Sequence, residues 1–132
     1  MTETSPIVFV VDDDPSVRRS LSRLIRSAGL RVEAFALAAE YLDHAPPERP
    51  ACLVLDVRMP GMTGFELQRR MAGTEYDLPV VLITGDTEDV EVRKRALSQG
   101  VVAFLYKPFD EQVLLAAIHR AIDMDRRVTF GA

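Results

Sequence analysis

The stretch IVFVVDDDPS, residues 7–16, decides the fold. Five apolar residues end abruptly in three aspartates, and Pro15 follows. A short, nearly continuous apolar run rich in valine suits a strand buried on both faces of a parallel sheet. Asp before Pro suits the start of a helix, since the Asp14 carboxylate can cap it and Pro15 lacks an N–H that the first turn would leave unpaired. The segment therefore reads strand, tight turn, helix. Its oddity is the charge. Two like charges about 4 Å apart repel by roughly 4 kcal/mol at an effective dielectric near 20, so Asp12, Asp13 and Asp14 need a counter-charge or separate tasks.

The same unit recurs along the chain. Apolar runs stand at 7–11, 31–35, 52–55, 79–83 and 101–105. Helical spacing follows each of them: Pro15 to Ala28 with Gly29 as the stop, a short pattern from Leu37 to His44, one from Gly64 to Met71, one from about Thr87 to Gln99 with Gly100 as the stop, and one opened by Asp110 and carried on to Ile122. Five such alternations predict an α/β domain with a parallel sheet, right-handed crossovers and helices on both faces. The run RVEAF (31–35) alternates polar and apolar residues, which marks an edge strand and fits the strand order 2-1-3-4-5. APPERP (45–50) reads as a loop. The stretch DRRVTFGA (125–132) has no periodic apolar face and reads as a frayed tail or the start of a linker, so a single domain is expected over 1–132 with its core at about 5–124.

A chain of 132 residues suits one domain. A net charge of −4 argues against an extended basic footprint for nucleic acid or anionic membrane. Lysine is rare: Lys94 and Lys107 are the only two. The single cysteine, Cys52, reads as a buried small hydrophobe and excludes an intramolecular disulfide, which fits a reducing cytoplasm. The N-terminus lacks the basic and apolar regions of a signal peptide, and no run approaches 18 apolar residues. A soluble cytoplasmic protein is expected.

In open α/β sheets, ligands bind beyond the carboxyl ends of the strands, where strand order reverses. The residues that follow the strands are Asp12 to Asp14, Asp56, Thr84 and Lys107. Strands one, three, four and five are neighbours in the expected order, so these groups should converge. A carboxylate cluster with one lysine calls for a hard divalent cation, and Mg2+ suits an open site with one or two carboxylates. A merely solvated acidic patch is the bland alternative, disfavoured because all these residues end apolar strands. With Asp14 capping its helix, Asp12 and Asp13 remain for the ion. Asp56, held ionised by Mg2+ and Lys107, could then attack phosphorus, with Lys107 and Thr84 neutralising the phosphoryl oxygens.

Five motifs in order, VVDDD (10–14), LVLDVRMPGM (53–62), VLITGD (81–86), the Gly100–Phe104 segment and KPF (107–109), resemble the receiver domain of bacterial two-component response regulators over roughly residues 5 to 124, and most of all its FixJ-like group. The resemblance implies a flavodoxin-like three-layer fold and a phosphoacceptor at Asp56. It implies Mg2+ held by Asp13, Asp56 and the backbone carbonyl of Arg58, with Asp12 acting largely through water. Lys107 pairs with the phosphoryl group, Thr84 is the switch hydroxyl, and Phe104, three residues before the lysine, is the switch aromatic rather than Tyr106. The Lys107–Pro108 peptide is expected to be cis. The implied donor is a phosphohistidine on a sensor histidine kinase or histidine phosphotransfer protein. Thr84 then moves toward the phosphoryl group, Phe104 turns inward, and the face of helix four, strand five and helix five changes for a second copy or another partner. Neither a turnover enzyme nor direct contact with nucleic acid or membrane is implied. Arg58 and Asp86, two residues beyond Asp56 and Thr84, are expected to flank the site. They either pair across its mouth and slow attack by water or are simply solvated loop charges.

Three rivals stand beside this reading. Asp12-x-Asp14 and GDTED (85–89) imitate the motifs of a haloacid-dehalogenase-type phosphatase, but Lys107 follows the acidic motif where that family's lysine precedes it. A flavodoxin-type carrier needs backbone amides for a flavin phosphate after strand one, where three aspartates would repel it. A degenerate receiver would not keep a complete set of site residues.

Overall fold

The alternation of apolar runs and helical faces closes into one parallel sheet in a computed structural model, which describes residues 5–85 and 90–130. The elements run β1 (Ile7–Val11), α1 (Pro15–Ser27), β2 (Arg31–Phe35), α2 (Ala38–Asp43), β3 (Ala51–Asp56), α3 (Gly64–Met71), β4 (Val80–Thr84), α4 (Val90–Ser98), β5 (Ala103–Tyr106) and α5 (Glu111–Phe130). The strand order is β2-β1-β3-β4-β5. Continuous apolar runs fill β1, β3 and β4 because both faces of these strands are covered. On one face Phe9, Val11, Leu53, Leu55 and Leu82 pack with Tyr41, Phe65, Leu67 and Ala96 from α2, α3 and α4. On the other, Val8, Val10, Val54, Val81 and Ile83 pack with Leu21 and Ile25 of α1 and Leu114, Ile118 and Ala121 of α5. Cys52 is fully buried in that second layer, and burial pushes its thiol pKa up. The alternating RVEAF run is indeed an edge strand, paired with β1 alone.

Two segments depart from the sequence reading. The fifth strand begins at Ala103, not Val101. The end of α4 takes Val101 instead, whose N–H reaches back to the carbonyl of Ala96 while Gly100 turns with φ +76°. The stretch read as a tail from 125 continues α5 to Phe130. Its core face carries on past Ile118, Ala121 and Ile122 to Asp125, a charged residue where the apolar periodicity calls for a hydrophobe. Asp125 is 0% exposed. Its carboxylate accepts from the Ala51 backbone N–H at 2.8 Å and from Arg49 Nε at 3.2 Å to each oxygen, with Arg49 Nη2 adding a further hydrogen bond. An ion pair replaces the hydrophobic contact there, so the helix docks without an apolar signal.

Candidate functional site

The register of the sheet carries the strand ends to one edge. Val11 pairs with Leu55, and Asp56 pairs with Ile83, so Asp12, Asp56 and Thr84 leave three adjacent strands almost level. The turn after β1 divides the three aspartates. Asp14 is the N-cap of α1, its Oδ1 accepting from the N–H groups of Ser16 at 2.8 Å and Val17 at 3.4 Å. Asp12 turns inward and is fully buried, and Asp13 is exposed. Asp12 Oδ1 accepts from the Asp14 N–H at 2.9 Å and Oδ2 from Lys107 Nζ at 3.0 Å. Arg18 Nη1 donates to the Asp12 carbonyl at 2.7 Å and braces the turn.

Asp56 ends β3 with 6% of its surface exposed. One oxygen faces Lys107 Nζ at 3.4 Å and the other accepts from the Arg58 N–H at 3.3 Å. Burial raises the Asp56 carboxyl above the ordinary carboxylate value and the neighbouring Asp12 raises it further, outweighing the opposing pull of Lys107 and the Arg58 amide. Burial works against the Lys107 ammonium, but Asp12 and Asp56 together overcome it and hold its pKa above the usual lysine value. Carboxylate oxygens of Asp12, Asp13 and Asp56 all lie within 4.8 Å of one another. These are hard oxygen donors, one of them exposed, and protein donors hold the Asp12 oxygens at 2.9 and 3.0 Å but those of Asp56 only at 3.3 and 3.4 Å. That set could hold an oxygen-loving divalent cation through Asp13 and Asp56 while leaving it open to water.

The framework that sets Asp56 depends on Gly64, which the sequence marks only as the start of a helix. A Cβ on Gly64 would stand 2.7 Å from the Asp56 carbonyl oxygen, so only glycine lets the start of α3 approach the strand end. The signal was the PGMTG turn, with Thr63 capping α3 through the Glu66 N–H at 3.1 Å. Thr84 is buried at the end of β4, and its carbonyl accepts from the Lys107 N–H at 2.7 Å, which fixes the lysine loop to β4. The Lys107–Pro108 peptide is cis. Phe104 lies outside the acidic cluster: its side chain packs against the core layer of α2 to α4. The Arg58 side chain is exposed, and Asp86 lies outside the described residues. Among the described residues, no helix is long and apolar enough to cross a membrane.

The family model for the response regulator receiver domain matches residues 8–119. Nodulation protein W of Bradyrhizobium diazoefficiens is 47% identical over 124 residues, 94% of this chain and 54% of that protein. The chain thus spans about half the length of the curated relatives it matches. The structure of response regulator StyR superposes with a TM-score of 0.86 at 44% identity, covering 97% of this chain and 64% of the other. FixJ-N superposes with a TM-score of 0.81 at 37% identity, covering 91% of this chain and 95% of the other.

Proposed function

This chain belongs to the family of response regulator receiver domains, the phosphoacceptor modules of two-component signalling, and from that membership we propose that Asp56 is the residue that takes the phosphoryl group. One observation supports the assignment: of the two buried carboxylates that share Lys107, Asp12 is 0% exposed and held at 2.9 and 3.0 Å, whereas Asp56 keeps 6% of its surface open and is held only at 3.3 and 3.4 Å. In the proposed reaction an Asp56 oxygen attacks the phosphorus of a phosphohistidine on a sensor kinase or phosphotransfer protein. A P–O bond forms, the P–N bond breaks, and the imidazole leaves. Asp13, Asp56 and the Arg58 carbonyl would hold Mg2+, with Asp12 contributing through water. The ion supplies positive charge for the phosphoryl oxygens. Lys107 supplies more, and its contact with Asp12 keeps it aimed at the site.

Hydrolysis of the aspartyl phosphate by water resets the site, so each chain handles its own phosphoryl group and is no turnover enzyme. The phosphatase rival loses support because the second aspartate of its motif, Asp14, is engaged as a helix cap. Output is proposed through Thr84 and Phe104, with the face of α4, β5 and α5 altered for dimerisation or partner binding. The reading extends to Arg58 and Asp86 as modulators of hydrolysis, and an unchanged autodephosphorylation rate in Arg58→Ala would remove Arg58 from that role. The receiver unit is proposed to act in the cytoplasm. The test of the function itself is incubation with a small phosphodonor with and without Mg2+. Wild type should gain one phosphoryl group only with the metal, and Asp56→Asn should gain none.

A further inference from the structure

The sheet face that carries Thr84 also carries two aromatic rings. Side chains alternate along a strand, so Leu82 and Thr84 of β4 share a face, as do Phe104 and Tyr106 of β5. Leu82 and Phe104 both join the core on the side of α2 to α4, so Thr84 and Tyr106 stand on that side too. In register, Leu82 pairs with Phe104 and Thr84 with Tyr106. Tyr106 is therefore the cross-strand neighbour of Thr84, and Phe104 stands one step behind it. The two rings meet edge to face, with centroids 5.2 Å apart and planes at 80°. Both are half-buried on an edge strand.

We propose that Tyr106 is a second member of the switch, a positioning residue whose ring moves with Phe104 and carries the state of Asp56 to the outer face of β5. The inference rests on the reading of Asp56 as phosphoacceptor and Thr84 as the hydroxyl it attracts. An edge-to-face contact depends on the angle between the rings, so Phe104 cannot turn inward without breaking the contact or drawing Tyr106 along. Packed groups of this kind switch between discrete arrangements. Chemistry assigns the two parts. Phe104 has no polar atom and can enter a space vacated beside Thr84, whereas Tyr106 is half-buried and its hydroxyl needs a hydrogen-bonding partner wherever the ring goes, which opposes full burial. Tyr106 thus remains at the surface, where a partner can read its new position.

The test uses the protein labelled with 3-fluorotyrosine. Its three tyrosines give three fluorine resonances, each assigned by a Tyr→Phe variant. Tyr41 and Tyr76, in edge contact with each other at 5.7 Å, serve as internal references. Beryllium fluoride with Mg2+ takes the place of the phosphoryl group, and its binding is followed separately by the signal of bound fluoride. The Tyr106 resonance should move while those of Tyr41 and Tyr76 stay, and most of that shift should vanish in Phe104→Leu, which keeps apolar volume but removes the ring. Phe104→Met is the second variant should leucine unfold the protein. Bound beryllium fluoride with a stationary Tyr106 resonance overturns the inference and leaves the Asp56 reading intact. A shift that survives whole in the Phe104 variants also overturns it, since the field of the bound group alone would then reach the ring. Failure of beryllium fluoride to bind overturns both.

Discussion

Strand β3 begins and ends beside a buried carboxylate, and the two are satisfied in opposite ways. At its start, Asp125 accepts from the Ala51 N–H and from the Arg49 guanidinium, so a fully buried charge meets a matched partner and every oxygen has a donor. At its end, Asp56 shares the Lys107 ammonium with Asp12, and the exposed Asp13 stands within the same 4.8 Å cluster. Three carboxylates meet one lysine there. The first arrangement is a completed ion pair that anchors α5. The second leaves negative charge in excess, which an added cation would offset. Burial of an acid is common to both, so burial alone does not mark function; the local balance of charge does.

Removing one partner should expose this difference most clearly at Asp125. Asp125→Ala strips the Ala51 N–H of its acceptor and the Arg49 guanidinium of its counter-charge and should cost about 3 kcal/mol, the low end for a broken buried pair because Arg49 is partly exposed. Urea denaturation should show a lower midpoint, and Mg2+ should still stabilise the variant. The opposite edge should respond to metal instead. Mg2+ at a hundred times its dissociation constant should add about 2.7 kcal/mol to wild type, and Asp13→Asn should lose most of that gain in the same denaturation experiment.

A smaller effect should carry a reversed sign. Without metal, Asp56→Asn relieves repulsion and should stabilise the fold by about 1 kcal/mol, where most point mutations destabilise by that much. The pH dependence follows from the raised Asp56 carboxyl. The folded state keeps that proton to higher pH than the unfolded chain does, so ionising Asp56 costs stability as pH rises from the ordinary carboxylate value through the raised one. The advantage of Asp56→Asn should be absent in acid below that window, grow across it, and reverse when Mg2+ saturates the wild type. Urea midpoints of the two proteins across pH, with and without metal, check each part. The smallest effect belongs to Asp14. Asp14→Asn keeps a capping oxygen and should change stability by at most a few tenths of a kcal/mol, with the Mg2+ gain intact in a thermal melt.

Much of this architecture was legible because its signals are local. Continuous apolar runs identified the buried strands, the alternation in RVEAF identified the edge, and Asp before Pro separated the cap Asp14 from its neighbours. The convergence of Asp12, Asp13, Asp56 and Lys107 followed from strand order alone. What escaped depends on contacts between distant residues. Asp125 occupies a core position of α5 only because Arg49, seventy-six residues earlier, completes its charge. Gly64 reads only as the first residue of a helix until the approach of α3 to the Asp56 carbonyl is seen. His44, at the end of the short helical pattern, pairs with Glu33 at 3.1 Å and lies against Phe35, contacts that no local signal announces. Tyr106 gains its meaning from a register partner on another strand.

The central claim is that Asp56 accepts a phosphoryl group with Mg2+. Its most direct test is intact-mass measurement after exposure to a small phosphodonor, followed by reductive trapping of any acyl phosphate and peptide mapping. One adduct per chain, dependent on Mg2+ and mapped to Asp56, is the expected result. No metal-dependent adduct, or an adduct that persists in Asp56→Asn, would contradict it.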